Sequence, residues 1–334
     1  MRKLIIFFSA LLFMSAAYVN QLFYVPVNWP APVYNFKNNP ITKEKAELGR
    51  ILFYDPILSG NQMISCASCH SPYNAFTHID HSLSHGINDK IGTRNSPALM
   101  NLAWQKMFMW DGAINHLDMQ ALAPITHPDE MGSSIDSVIA KLQSKLRYRQ
   151  LFYNAFGDSV ITTERTLKSL SQFMLTLISS NSKYDKVMRN ETGFSFNENE
   201  QKGYVLFKQH CAVCHTEPLF TNNGFENNGL ETDSFLKDIG RMKVTGNIND
   251  SLKFKVPTLR NCELTSPYMH DGRFRNLQMV LFHYTNTVSH TPTLSKHLQK
   301  MPVFTEIEKG SIISFLKTLT DEEFIKNTNH TFLK

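Results

Sequence analysis

This chain of 334 residues lacks three things that would have placed it quickly. Beyond its first residues there is no apolar run long enough to cross a bilayer, which excludes a body of membrane-spanning helices. Its 34 Lys and Arg against 29 Asp and Glu give a net charge of only +5, and the basic residues are scattered, so there is no footprint for nucleic acid. No sustained two-residue alternation of apolar and polar side chains asks for a large sheet. What remains is a globular composition, 42% apolar, in a chain long enough for two domains of ordinary size.

Cysteine is scarce, at five residues, yet four of them fall into two pentads, Cys66-Ala-Ser-Cys69-His70 and Cys211-Ala-Val-Cys214-His215. Each pentad offers two thiols for thioether bonds to the vinyl groups of a haem and an adjacent imidazole for its iron, so two covalent haem c groups are expected. A Cys-x-x-Cys alone also suits a zinc knuckle or a redox dithiol. Joining the two units into one four-cysteine zinc site, however, would leave His70 and His215 without a role. The fifth cysteine, Cys262, has apolar neighbours and reads as a buried, inert thiol.

The first residues agree with covalent haem, which goes with export. Arg2 and Lys3 precede an apolar stretch from Leu4 to Met14 and the small residues Ser15-Ala16-Ala17, so residues 1–17 read as a secretory signal peptide and the location as periplasmic. Weak hydrophobicity continues to Val19, and an uncleaved anchor is the rival reading.

The pentads have matching surroundings, which makes the halves related. Gly49-Arg50-Ile51-Leu52-Phe53 upstream of the first corresponds to Gly203-Tyr204-Val205-Leu206-Phe207 upstream of the second. Downstream, Pro97-Ala98-Leu99-Met100-Asn101 corresponds to Pro257-Thr258-Leu259-Arg260-Asn261, and Asp111 and Asp271 each follow 14 positions after the proline. Periodicity predicts helices over Ser137 to Phe152, Glu164 to Ser179 and Glu306 to Leu319, the last with Ile307, Ile312, Phe315, Leu316 and Leu319 on one side. Asn222 to Gly229 and Asp238 to Asp250 read as loops, and Asn190 to Glu200 as a polar linker. The expected fold is mainly α: two cytochrome-c-like helical domains, residues 37–188 and 189–325, each with one covalent haem and related by internal repeat.

From about Ala46 to Glu322 the chain resembles the bacterial di-haem cytochrome c peroxidase family. The carriers are both pentads, Arg94-Asn95-Ser96-Pro97, Trp110-Asp111-Gly112, Asp129-Glu130-Met131, Ser182-Lys183-Tyr184-Asp185, Pro257 to Asn261 and His270-Asp271-Gly272. The resemblance implies periplasmic reduction of hydrogen peroxide to water, with a small c-type cytochrome or cupredoxin as electron donor and often a homodimer. It makes the first haem peroxidatic, with His70 proximal, and the second electron-transferring, with His215 proximal. Glu130 matches the acid-base carboxylate, Gln120 the distal amide and Trp110 the indole between the haems. One carboxylate can take a proton from the iron-bound oxygen of a peroxide and return it to the leaving oxygen. The plain alternatives are a surface residue for Glu130 and core packing for Trp110. The family's calcium site corresponds to Asn95, Thr265 and Pro267, oxygen donors of the kind calcium takes.

Two positions are special. Peroxidases of this family generally carry Met 14 residues after the His of the His-Asp-Gly element, whereas here that position is Tyr284. Tyrosine resembles instead the related di-haem enzyme that matures the tryptophan tryptophylquinone cofactor of methylamine dehydrogenase. A phenolate stabilises ferric iron, so a Tyr284 ligand would make the second haem harder to reduce. His283 competes for that role, Met279 lies five positions early and Met301 lies in a Pro-containing loop; the plain reading of Tyr284 is a buried aromatic with its hydroxyl satisfied. Ser84-His85-Gly86 resembles a loop whose His occupies the distal side of the first iron at rest, and the alternative is a solvent-exposed His beside His78 and His81. Three functions stay open: a peroxidase, an enzyme using peroxide to oxidise side chains of a partner protein, and a non-catalytic di-haem electron carrier.

Overall fold

A computed structural model describes residues 22–332; the expected signal peptide, residues 1–17, lies outside them. The described chain is mainly helical, and its one sheet is a two-stranded antiparallel ribbon, β1 (Phe225–Glu226) with β2 (Phe254–Lys255). No helix among the described residues is long and apolar enough to cross a membrane. Seven helices carry the argument: α1 (Lys43–Tyr54), α2 (Ile135–Ser144), α3 (Leu146–Phe156), α4 (Thr163–Leu175), α5 (Glu198–His210), α6 (Leu277–Phe282) and α7 (Glu306–Lys317).

Two helix crossings organise the molecule. In α1, started by the Thr42 cap, Leu48, Gly49, Leu52 and Phe53 form one buried stripe, which lies against α4. Contact is so close that a Cβ on Gly49 would sit 1.9 Å from the Ser169 carbonyl oxygen. The crossing of α5 with α7 has the same construction, since a Cβ on Gly203 would sit 1.9 Å from the Ser311 carbonyl oxygen. In both receiving helices the small serine folds its hydroxyl back onto the preceding turn, Ser169 onto Arg165 and Ser311 onto Ile307.

Backbone matches continue downstream. Asn101 and Asn261 both adopt φ 57° and open short 3-10 turns, Leu102–Trp104 and Cys262–Leu264. Gly112 (φ 71°) and Gly272 (φ 66°) then take corresponding left-handed positions after Asp111 and Asp271. The equal spacing seen in the sequence is thus an equal backbone path. Two apolar cores surround the crossings, one around Leu52, Phe53, Phe76 and Phe173, the other around Phe207, Phe220, Phe315 and Leu319. Tyr184 belongs to the second core, whereas Phe324 and Ile325 return to pack in the first.

Polar contacts lock the two parts together. Arg94 forks onto Asp238 (2.6 and 2.9 Å) and also reaches Asp111 (2.6 Å). Arg260, wholly buried, makes two 2.8 Å bonds to Asp185. Asn101 and Asn261 both bind Ser179, the first donating to its carbonyl and the second to its hydroxyl.

Three local expectations are corrected. The single helix expected over Ser137 to Phe152 is two, divided at Lys145 (φ −105°, ψ 124°). Leu142 and Tyr148, the facing buried residues, are six apart and cannot share one straight helical face. In α7, Ile307 is 80% exposed, because five residues from Ile312 turn it about 140° from the core stripe. Asn222 to Gly229 contains β1, and Asp238 to Asp250 contains a short helix, Met242–Thr245.

Candidate active site

Each pentad is set up by local structure. Cys66–Cys69 is one helical turn, capped by reciprocal bonds between Ser65 and Ser68, and His70 ends it with its backbone N–H on the Cys66 carbonyl (3.0 Å). In the second pentad α5 runs into Cys211, and the His215 N–H binds the Cys211 carbonyl (2.9 Å). The thiols of each pair are therefore presented three positions apart on one turn. All five cysteines are free. Burial pushes Cys66 and Cys211 up to about 12, and Cys69 and Cys214 to about 11, which favours thiol over thiolate in both pairs. Cys262 is likewise buried and pushed up to about 12.

The imidazoles are held alike. His70 Nδ1 donates to the Phe76 carbonyl (2.8 Å), and His215 Nδ1 faces the carbonyls of Phe220 (3.2 Å) and Pro257 (3.1 Å). Burial lowers His70 to about 4 and also lowers His215, which keeps both rings neutral. A ring whose Nδ1–H is tied to a carbonyl turns a free Nε2 lone pair to a metal. Thiols one turn apart with such an imidazole fit haem c in both pentads.

The second pentad opens on a cavity of about 250 Å³. Trp110, Lys255, Tyr284 and Met301 line it together with Cys211, Cys214 and His215. Tyr284 lies in a π-helical turn, His283–Thr287, that continues α6. Burial raises its hydroxyl to about 12, opposed by the Asn228 side chain, and both thiols of the pentad are near enough to add to the rise. His283 points elsewhere: its Nδ1 meets the Thr287 hydroxyl and its Nε2 the Asn228 carbonyl, both at 3.0 Å. Met279 is 40% exposed. Met301 lies in the expected Pro-containing loop, and the 3-10 turn Leu298–Lys300 before it brings it to the cavity wall.

Around the first pentad, Glu130 sits in the turn after Pro128, with its carbonyl accepting from the Ile87 N–H at 2.6 Å. It is half-buried and close enough to Cys69 for its charge to raise that thiol. Burial raises Glu130 itself, with Asp129 adding to the rise and His127 opposing it. The His85 carbonyl accepts from Cys69 Sγ (3.5 Å), which brings that loop to the pentad; the His85 ring binds Asp89 (3.0 Å) and stacks on His81 at 4.1 Å. Gln120 ends the short helix Leu117–Gln120, its amide nitrogen 4.0 Å from Met109 Sδ.

Trp110 lies where the parts meet. Its Nε1–H donates to the Asn95 carbonyl (2.8 Å), and its own carbonyl accepts from Lys255 of β2 (2.7 Å). Asn95, Thr265 and Pro267, the expected calcium ligands, all line the cavity of the second pentad. Asn95 is tied into the junction by its N–H on the His270 carbonyl (2.7 Å) and its side-chain amide on the Ser82 carbonyl (3.0 Å). Sequence reasoning missed Asn228, Lys255 and Asp238. No motif marks them, and their partners are remote in the chain.

A family model described as di-haem cytochrome c peroxidase matches residues 43–193. Over 330 residues the chain is 34% identical to the methylamine utilization protein MauG of Methylophilus methylotrophus, covering 95% of each chain. It is 35% identical over 288 residues to the cytochrome c551 peroxidase of Nitrosomonas europaea, covering 85% of this chain and 82% of that one. A solved MauG-like protein associated with microbial copper homeostasis superposes with a TM-score of 0.80 at 30% identity, covering 92% of this chain and 97% of that one. The diheme peroxidase BthA of Burkholderia thailandensis shares the fold, with a TM-score of 0.74 at 21% identity over 88% of this chain and 90% of that one.

Proposed function

Because the chain belongs to the di-haem cytochrome c peroxidase family and is an oxidoreductase of that type, we propose that it reduces hydrogen peroxide to water in the periplasm, with electrons from a small c-type cytochrome or cupredoxin. In this reading residues 37–188 and 189–325 are two cytochrome-c-like domains, each holding one covalent haem c. Cys66, Cys69 and His70 hold the first haem, and Cys211, Cys214 and His215 the second. The matched crossings at Gly49 and Gly203 and the carbonyl-tied imidazoles support it. When bound, haem supplies the iron that takes peroxide and carries single electrons.

The residues divide the remaining work. Glu130 takes a proton from the proximal oxygen of peroxide and returns it to the leaving oxygen, a task for which a carboxyl raised by burial is suited. Gln120 orients the peroxide with its amide. Trp110, with its indole fixed by Asn95, links the two haem pockets. His85 is the loop residue that would cover the first site at rest, and Asn95, Thr265 and Pro267 are the candidate calcium ligands between the domains. A homodimer is the expected assembly. The observation that carries the peroxidase reading is the half-buried carboxyl of Glu130 beside the first pentad.

Glu130→Gln should abolish peroxide turnover while leaving two haems per chain by pyridine haemochrome and unchanged spectra. Retained turnover would remove Glu130 from the reaction, and fewer than two haems in the native protein would overturn the haem assignment. Tyr284, at the wall of the second cavity, favours a second reading in which peroxide is used to oxidise side chains of a partner protein. Steady consumption of reduced donor supports the first reading; peroxide-dependent mass gain on a partner, without donor consumption, supports the second.

A further inference from the structure

The wall of the second pentad's cavity includes a lysine whose ammonium has no anionic partner among the described residues. Lys255, the last residue of β2, is fixed through its backbone N–H to the Trp110 carbonyl (2.7 Å) and through the ribbon register to Phe225. It lines the cavity beside Gln105, which its ammonium binds, and the surroundings of that ammonium are deeply buried. The hydrogen bonds of its Nζ, to Gln105 Oε1 (2.8 Å) and the Met107 carbonyl (3.5 Å), go to neutral oxygens. Among the described residues no carboxylate forms an ion pair with it, although Glu226 lines the same cavity. Burial brings its pKa down to about 8, showing how poorly neutral oxygens compensate the charge.

An enclosed ammonium is retained where something supplies a negative charge. The group that the pentad fits brings two carboxylates of its own, the haem propionates. We propose that Lys255 is the counter-ion of a propionate of the haem held by Cys211, Cys214 and His215, with Gln105 holding the ammonium in position. The inference rests on the reading that this pentad carries a haem. It gives the cavity a charged binding contact in addition to the thioethers and the axial ligands. It also sets a positive charge beside the haem that Tyr284 faces, opposing the pull of a phenolate toward the ferric state.

The test uses the haem-loaded protein and the variants Lys255→Met and Lys255→Arg. Haem content is read by pyridine haemochrome, and the midpoint potential of the second haem by spectroelectrochemistry from mildly acidic to neutral pH. With the cation removed, the ferric form should be favoured about tenfold, a fall of about 59 mV for one electron. The unpaired propionate should also titrate at higher pH, giving the Met variant a pH-dependent potential absent from the native protein and the Arg variant. His210, Glu226, His270 and His297 also face the cavity, and they are common to all three proteins. Loss of the second haem in the Met variant with retention in the Arg variant supports the pairing equally. An unchanged potential in the Met variant overturns it. So does a potential that moves without a change in its pH dependence, which would assign a remote field, or loss of haem in both variants, which would assign packing. Failure of the haem reading itself would show separately, as fewer than two haems in the native protein.

Discussion

Gly203→Ala tests the helix crossing that delivers the second pentad. The new methyl group would lie 1.9 Å from the Ser311 carbonyl oxygen, 2.5 Å from the Ser311 carbonyl carbon and 2.9 Å from the Phe315 Cβ. Two of these atoms are backbone, so no rotamer change relieves the clash, and reaching ordinary contact requires α5 and α7 to part by about 1.5 Å. That displacement pulls Phe207 from Phe315, whose ring centroids are 5.0 Å apart, and Tyr204 from Phe315 at 5.1 Å. Overpacking of this kind costs about 1–3 kcal/mol, and alanine's better helix propensity returns about 1 kcal/mol at most. A net loss of about 1–2 kcal/mol is therefore expected, or about 1.5–3 °C in melting temperature for a chain of this size. Gly310→Ala is the control. It lies in α7 itself, its Cβ would meet nothing within 4 Å, and it should stabilise by about 0.5–1 kcal/mol. Denaturant midpoints of the haem-loaded proteins measure both. If Gly203→Ala proves as stable as Gly310→Ala, the crossing is not the close contact described and the parallel argument for Gly49 fails with it.

Other perturbations address the sites. Since burial raises Glu130, its carboxylate form is lost as pH falls through a value above the ordinary range, so the acid limb of kcat/KM for peroxide should lie above about 4.3; a limb at or below that value removes Glu130 as the proton acceptor. Tyr284→Phe should change the second haem's spectrum and raise its potential, whereas Met301→Leu should do neither; the reverse pattern makes Met301 the ligand. Arg260→Met leaves Asp185 buried without its partner and should destabilise by about 3–5 kcal/mol. In the native protein burial acts to raise Asp185, but the bonds from Arg260 and Ser182 outweigh it and lower the pKa. Its contribution is therefore present above about pH 4 and lost as pH falls through the folded value, so acid titration should cost the native protein stability that the Met variant has already forfeited.

Sequence was most informative where chemistry is written in consecutive residues. The pentads needed only spacing, and the equal distances from Pro97 to Asp111 and from Pro257 to Asp271 anticipated the equal backbone path around Gly112 and Gly272. Periodicity located α4 and α7 but missed the break at Lys145, where two short stripes out of phase resembled one long one. Long-range pairings had no local signal. Arg94 and Asp238 are separated by 144 residues, and neither has a pattern pointing to the other. Met301 and Lys255 reach the cavity through a turn and a two-residue ribbon, elements too short to announce themselves.

The return of Phe324 and Ile325 to the first core has a bearing on truncation. Phe76 packs on Phe324 at 6.0 Å, and the Tyr54 hydroxyl donates to the His330 carbonyl at 2.5 Å. A core built mainly from residues before the second pentad is thus closed by residues that follow it. Phe76 is covered on that side only by residues beyond the second pentad, so a chain cut before Phe324 would leave the first core open there. The two halves resemble each other in construction, but the first is closed by chain that follows the second.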